Sequence, residues 1–270
     1  MLDGLLYRGA PLRLESRYRR VGDVLMYERY FERDAPVLVL VHGIGVSSRY
    51  FLPTAARLAE RCNVYAPDLP GFGFSAPLGL RPTVRRLADA FEAWLDAAGL
   101  KVPDAVVANS FGCQVVADFA ARRPERVARL VLVGPTIDRR ARSLGRQAAR
   151  LALDSVREPV GLLALETIDY VQHLRKSGIG AFVEMIRDPL ERNLSLVRAP
   201  TLVVRGDRDP IVPRTWAEEV AATLPRGRLV EVAGAAHAVN YSAPEALTRL
   251  TLDFLHEPHG WERTLGTPAL

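Results

Sequence analysis

Ser110 stands where the apolar run Ala105-Val106-Val107-Ala108 gives way to Asn109-Ser110-Phe111-Gly112-Cys113, with a small residue two positions to either side of the hydroxyl, Ala108 and Gly112. Small neighbours are what a sharp strand-to-helix turn needs, because strand and helix cross there almost in contact and the turn residue is strained. A hydroxyl presented that way is a candidate nucleophile; capping the following helix is the plainer use of a serine at such a junction. Serine is a poor nucleophile at neutral pH, so attack on a carbonyl requires a base to take its proton and a third group to orient that base. Both types of residue follow other apolar runs. Leu229-Val230-Glu231-Val232 leads through Ala233-Gly234-Ala235-Ala236 to His237, and Thr201-Leu202-Val203-Val204-Arg205 leads through Gly206 to Asp207 and Asp209. A further run, Val37-Leu38-Val39-Leu40-Val41, ends in His42-Gly43-Ile44-Gly45, whose glycines let backbone N–H groups approach a substrate oxygen closely.

Ser, Asp and His at strand ends in that chain order, with a glycine-bearing loop before them, resemble the α/β-hydrolase family, and the resemblance spans most of the chain. Asp68-Leu69-Pro70-Gly71-Phe72-Gly73-Phe74-Ser75 also looks like the Asp-x-Pro-Gly-x-Gly-x-Ser loop common in that family. The resemblance implies Ser110 as nucleophile, His237 as general base and Asp209 as the carboxylate that orients it. Asp209 is preferred to Asp207 because Gly206-x-x-Asp209-x-x-x-Pro213 is similar to the family spacing; Asp138 is a rival, since some relatives place the acid after the preceding strand. The backbone N–H groups of Ile44 and Phe111 would form the oxyanion hole, with His42, Gly43, Gly45 and Asn109 supporting the loop and the elbow. Of the other histidines, His173, His256 and His259 do not follow the end of a core strand. No cofactor is implied, and no metal: Cys62, Cys113 and the scattered histidines lack ligand spacing.

For the reaction, hydrolysis of a small, apolar carboxylic ester through an acyl-enzyme comes first. Asn109-Ser110-x-Gly112 also resembles the elbow of enzymes that hydrolyse a carbon–carbon bond of ring-cleavage diketones, but Ala238 stands where their pattern tends to carry tryptophan. Perhydrolase, lactonase and acyltransferase chemistry would use the same residues. Epoxide and haloalkane hydrolases use an aspartate at the elbow, against which Ser110 argues. A non-catalytic small-molecule receptor is the reading of a different class, because a fold alone does not fix function.

The elements that must position these groups follow from hydrophobic pattern. Leu12 to Tyr18 and Val24 to Phe31 read as an antiparallel pair around Gly22-Asp23, and buried parallel strands fall at 37–41, 63–66, 105–108, 130–133, 201–205 and 229–232. Helical spacing marks 83–98, 111–122, 216–224 and 244–256. Alternating strands and helices predict an α/β fold, a doubly wound, mostly parallel sheet with working loops at the carboxyl ends of its strands. Between Val133 and Pro200 the strand rhythm breaks and only helical patterns remain, interrupted at Pro159, Gly161, Gly178, Gly180 and Pro189. The domain expectation is therefore a core of residues 1–134 and 198–270 with a helical lid, 135–197. Its apolar residues, among them Leu162, Leu163, Leu165, Ile168, Phe182, Met185 and Ile186, either pack the lid or line a pocket. Arg139, Arg140, Arg142, Arg146 and Arg150 read as a charge-rich helix, solvated or an anion site.

The formal charge of +5 does not form a nucleic-acid footprint, because the basic residues are scattered among acids and only Lys101 and Lys176 are lysines. The first ten residues, Met1 to Ala10, do not read as a signal peptide, and no stretch approaches the ~20 apolar residues of a spanning helix. Two cysteines far apart suit a reducing compartment. These observations predict a cytoplasmic protein with a small-molecule substrate and no nucleic-acid or membrane partner; oligomeric state is not readable.

Overall fold

The computed structural model describes residues 13–79, 82–177 and 179–257; His259, Gly178 and the segment Met1 to Ala10 lie outside the described residues. One sheet carries eight strands: β1 (Glu15–Val21), β2 (Val24–Phe31), β3 (Val37–Val41), β4 (Asn63–Pro67), β5 (Ala105–Asn109), β6 (Leu130–Val133), β7 (Thr201–Gly206) and β8 (Gly227–Val232). Their spatial order is β1-β2-β4-β3-β5-β6-β7-β8; β1 pairs antiparallel with β2 and β2 with β4, and the remaining neighbours are parallel. The central strands are continuous aliphatic runs because both of their faces are covered. Val39, Val41, Val106, Ala108, Leu130 and Leu132 enter the core on one side, whereas Leu38, Leu40, Val107, Val131 and Val133 enter the core on the other.

Helices α1 (Leu52–Leu58), α2 (Val84–Ala97) and α3 (Phe111–Arg122) follow the early strands. Between β6 and β7 come α4 (Leu144–Ser155), α5 (Val160–Ser177), α6 (Gly180–Arg187) and α7 (Glu191–Leu194); α8 (Arg214–Thr223), α9 (Val239–Ser242) and α10 (Pro244–His256) complete the chain. Residues of α2, α3 and α8 fill the first core and residues of α1 and α10 the second, so the sheet is sandwiched as the alternation predicts. Among the described residues, no helix is long and apolar enough to cross a membrane.

The first strand lies three residues later than the pattern predicts. Its register is set by the two-residue turn at Gly22-Asp23, which makes Val21 face Val24 and carries the pairing back to Glu15 opposite Tyr30. Its charged residues have a use there. Arg17 Nε and Arg19 Nη2 donate to Glu28 of β2 at 2.5 and 2.7 Å, and the Trp94 indole N–H of α2 donates to the same carboxylate at 2.6 Å. Burial opposes the charge on Glu28, but these donors hold its carboxyl below the usual range.

The arginines at the start of the insertion do not form one helix. Arg139 to Ala141 make a single 3₁₀ turn capped by Asp138, and α4 starts at Leu144 behind its Ser143 cap. Arg139 and Arg140 pair with Glu219, Arg142 with Glu191, and Arg150 with Asp138. These partners absorb the charge that an anion site would need. At the other end of the insertion, Gln114 Nε2 of α3 donates to the carbonyls of Met185 and Asp188 and ties the helices to the core.

Candidate active site

Ser110 is the one non-glycine residue with positive φ among the described residues, at φ 53° and ψ −121°. Its amide donates to Val133 O of β6 at 2.9 Å, which fixes the turn to the sheet while α3 departs from the next residue. The backbone shape is paid for by packing on both sides. A Cβ at Gly112 would lie 2.6 Å from His42 O and 2.7 Å from Val41 O, so only glycine lets α3 cross the end of β3 this closely. Ser110 is buried except for a small opening onto a cavity.

Asp209, in the loop after β7, has both carboxylate oxygens committed. Oδ1 accepts from the amides of Ile211 and Val212 at 2.7 and 2.9 Å, and Oδ2 faces His237 Nδ1 at 2.8 Å. The carboxylate thus fixes the imidazole with its proton on Nδ1, leaving Nε2 free to accept. Nε2 has no partner among the described residues, and His237 lines the same cavity as Ser110. Gly134, at the end of β6, leaves room for the ring: a Cβ there would sit 2.8 Å from His237 Cε1. The competing acids are used elsewhere. Asp207 is exposed and accepts from the Gly234 amide at 2.8 Å, and Asp138 holds Arg150 and the amide of Arg140.

The loop after β3 reaches the same cavity with Gly43 and Ile44. His42 is wholly buried and serves the loop itself: Leu69 N–H donates to its Nε2 at 2.9 Å, so Nδ1 carries the proton and donates to Gly43 O at 2.8 Å. Burial holds its pKa below the ordinary value. Asp68 braces the neighbouring turn, its Oδ1 accepting from Ser48 N–H at 2.7 Å and its Oδ2 from Phe74 N–H at 2.8 Å. Gly45, at φ 72°, lies against the ring of Tyr170 from α5. Phe111, as the first residue of α3, has no carbonyl one turn back within its helix, so its amide is available at the elbow. Asn109 is buried beside Gly43, with Nδ2 3.4 Å from Val133 O. His173 is buried, stacked on Phe72 with centroids 4.2 Å apart and hydrogen-bonded through Nδ1 to Gly71 O. His256 lies on α10 and bonds Leu252 O, remote from the cavity lining.

The cavity has a volume of about 180 Å³ and is walled by the insertion as well as by the core. Phe182, Met185 and Ile186 line it; Leu162 and Leu165 instead pack on Val46, Tyr50 and Ala238, and Leu163 faces solvent. Sequence patterning did not single out the acidic groups here. Asp154 and Glu166 line the cavity, and Glu158 bonds the amide next to His237. Burial pushes Glu158 and Glu166 up to about 7 and raises Asp154 as well. Burial alone would lower His237, but Asp209, with Asp154 and Glu158, outweighs it and pushes the imidazole up to about 9. A signal for one further residue was present. Leu162, Leu165, Asp169 and His173 form the buried stripe of α5, and a carboxylate in a core stripe demands partners. Asp169 finds Ser47 Oγ at 2.6 Å and the Arg49 guanidinium, both in the segment after β3.

The profile of the alpha/beta hydrolase family matches residues 38–250. The chain is 32% identical over 244 residues to a pimeloyl-[acyl-carrier protein] methyl ester esterase of Aromatoleum aromaticum, covering 78% of this chain and 94% of that protein. It is 30% identical over 245 residues to a 2-hydroxymuconate semialdehyde hydrolase of Pseudomonas putida, covering 81% and 86% respectively. In structure it is similar to the enol-lactonase of Burkholderia xenovorans LB400, with a TM-score of 0.76 at 24% identity over 89% of this chain and all of that one. The chain belongs to the alpha/beta hydrolase family and is a hydrolase.

Proposed function

We propose that this alpha/beta hydrolase cleaves small, uncharged carboxylic esters through an acyl-enzyme on Ser110. The observation that carries the reading is a cavity onto which Ser110 and His237 both open, lined largely by apolar side chains and, among the described residues, by no arginine or lysine. Ser110 Oγ attacks the ester carbonyl carbon while its proton passes to His237 Nε2. Asp209 keeps the imidazole oriented and stabilises its positive charge without taking the proton. The carbonyl oxygen takes up the negative charge and is held by the amides of Ile44 and Phe111. Collapse breaks the bond from carbonyl carbon to alkoxy oxygen, and the alcohol leaves with the proton from Nε2. A water then attacks the acyl-enzyme carbonyl as its proton passes to Nε2; the bond to Ser110 Oγ breaks, Oγ takes that proton back, and the carboxylic acid leaves.

Size and charge narrow the substrate class. The cavity of about 180 Å³ is below the ~300–1,000 Å³ of sites for drug-sized ligands, which supports a short acyl chain. Asp154 and Glu166 in its wall would repel an anion when ionised and offer it no counter-charge. A muconate-derived semialdehyde carries a carboxylate, so the carbon–carbon reading finds less support, and Ala238 in place of tryptophan points the same way. The esterase relative is named for an ester, the class proposed here. A cytoplasmic location, no cofactor and no nucleic-acid or membrane partner complete the reading; the buried, unpaired Cys62 and Cys113 suit a reducing compartment.

A substrate panel tests it. Aryl acetates and butyrates are expected to show kcat/KM about tenfold or more above esters with a carboxylate-terminated acyl chain. Preference for the anionic esters, or for a muconate-type semialdehyde, would overturn it. Tight binding of such ligands without turnover would favour the receptor reading.

A further inference from the structure

The segment carrying His237 runs directly into α9, a four-residue helix whose leading amides have no carbonyl one turn back. The insertion meets two amides at this junction. His237 N–H donates to Asp154 Oδ1 at 3.2 Å, and Ala238 N–H donates to Glu158 Oε1 at 2.7 Å. The core holds the other side of the segment, with Asn240 Nδ2 donating to Tyr50 O at 2.9 Å and Thr54 Oγ1 to Asn240 O at 2.6 Å.

The two carboxylates are badly placed for stability alone. Asp154 is buried near the C-terminal end of α4, where the helix dipole disfavours negative charge. Glu158 is half-buried in the turn that follows, and the Arg157 guanidinium, which favours the charge on Asp154, spends its hydrogen bond on Arg208 O at 2.6 Å. What these acids gain is a pair of hydrogen bonds to the histidine segment, and locally unfavourable placements of this kind concentrate at functional sites.

Resting on the reading of His237 as the base, we propose that Asp154 and Glu158 are positioning residues. They hold the backbone of the His237 segment so that its imidazole stays on Asp209 and faces Ser110, and their charge favours the imidazolium that forms during attack. The insertion is then part of the machinery rather than only its cover. The charged groups around the imidazole are Asp209 from the loop after β7, Asp154 from α4, Glu158 from the following turn and Glu166 from α5. The first three outweigh burial in raising His237, in keeping with the contacts.

The test compares the parent with Asp154→Ala, Asp154→Asn, Glu158→Ala and Glu158→Gln on p-nitrophenyl butyrate across about pH 5 to 10. The His237 imidazole is also titrated by NMR in the parent and in Asp154→Asn. The alanine variants are expected to lower kcat about tenfold or more with KM little changed. The amides keep an acceptor but lose the charge. They are expected to restore most of kcat at high pH while moving the acid limb, and the NMR titration, down by about one unit. An alanine variant that melts like the parent and keeps its kcat overturns the proposal, as does an unmoved titration in Asp154→Asn. Should the alanine variants fail to fold, the amide variants decide. A parent that folds but turns over no ester defeats the ester reading instead, and the NMR titration still decides this one.

Discussion

One oxygen of Asp209 takes two backbone amides and the other takes His237 Nδ1, so the side chain is oriented before any substrate arrives. Asp209→Asn keeps the shape but removes the charge and the preference for the Nδ1 proton; kcat is expected to fall by up to ~10⁴ with KM changing little. A variant retaining a tenth of parental kcat would remove Asp209 from the account. The pH profile is set by the same group. The base must be neutral, so the rate rises with pH through the His237 pKa, and because that pKa is raised the rising limb is expected above the ordinary ~6.5. A limb centred below 6 in kcat/KM would contradict the environment described. That Ser110, His237 and Asp209 come together was legible because each follows an apolar strand and the three keep a fixed chain order. The contacts of Asp154 and Glu158 were not, because they depend on where α4 and the turn after it fold back against a segment some eighty residues later. Asp169, not picked out from the sequence, does carry a signal there, as a carboxylate in the apolar stripe of α5.

At the scale of elements, the central strands were readable to within a residue or two since burial on both faces leaves a continuous aliphatic run between turn residues. The outer hairpin was less so. Its first strand mixes Glu15, Arg17 and Arg19 with apolar residues, and the turn, not the pattern, sets its register. Helix α1 is seven residues long with Pro53 in its first turn, too short for periodicity to declare itself. The Glu28 network joins β1, β2 and α2 around one buried carboxylate. Glu28→Ala takes the shared acceptor from Arg17, Arg19 and Trp94; the arginines keep Glu32 and Ala97 O, so the expected cost is about 1–3 kcal/mol in denaturant unfolding, chiefly from the orphaned indole N–H. A loss below about 1 kcal/mol would show the network to be dispensable.

Across the whole molecule the half-buried acids near His237 have a common consequence. Glu158 and Glu166 titrate near 7 in the fold against 4.5 for the free side chain, so the folded state binds more protons and stability falls as pH rises through that interval. His237 works in the same sense: its raised pKa stabilises the fold at low pH, and that contribution is lost as pH climbs from 6.5 to about 9. The melting temperature is therefore expected to decline from about pH 5 to about pH 9. A steady increase over that range would mean these groups are not buried together as described. The central claim, an activated Ser110, is tested most directly by intact-protein mass spectrometry after treatment with a small fluorophosphonate, on the parent and on Ser110→Ala. The account predicts one covalent adduct on the parent and none on the alanine variant. An unlabelled parent, or a label that persists in Ser110→Ala, would contradict it.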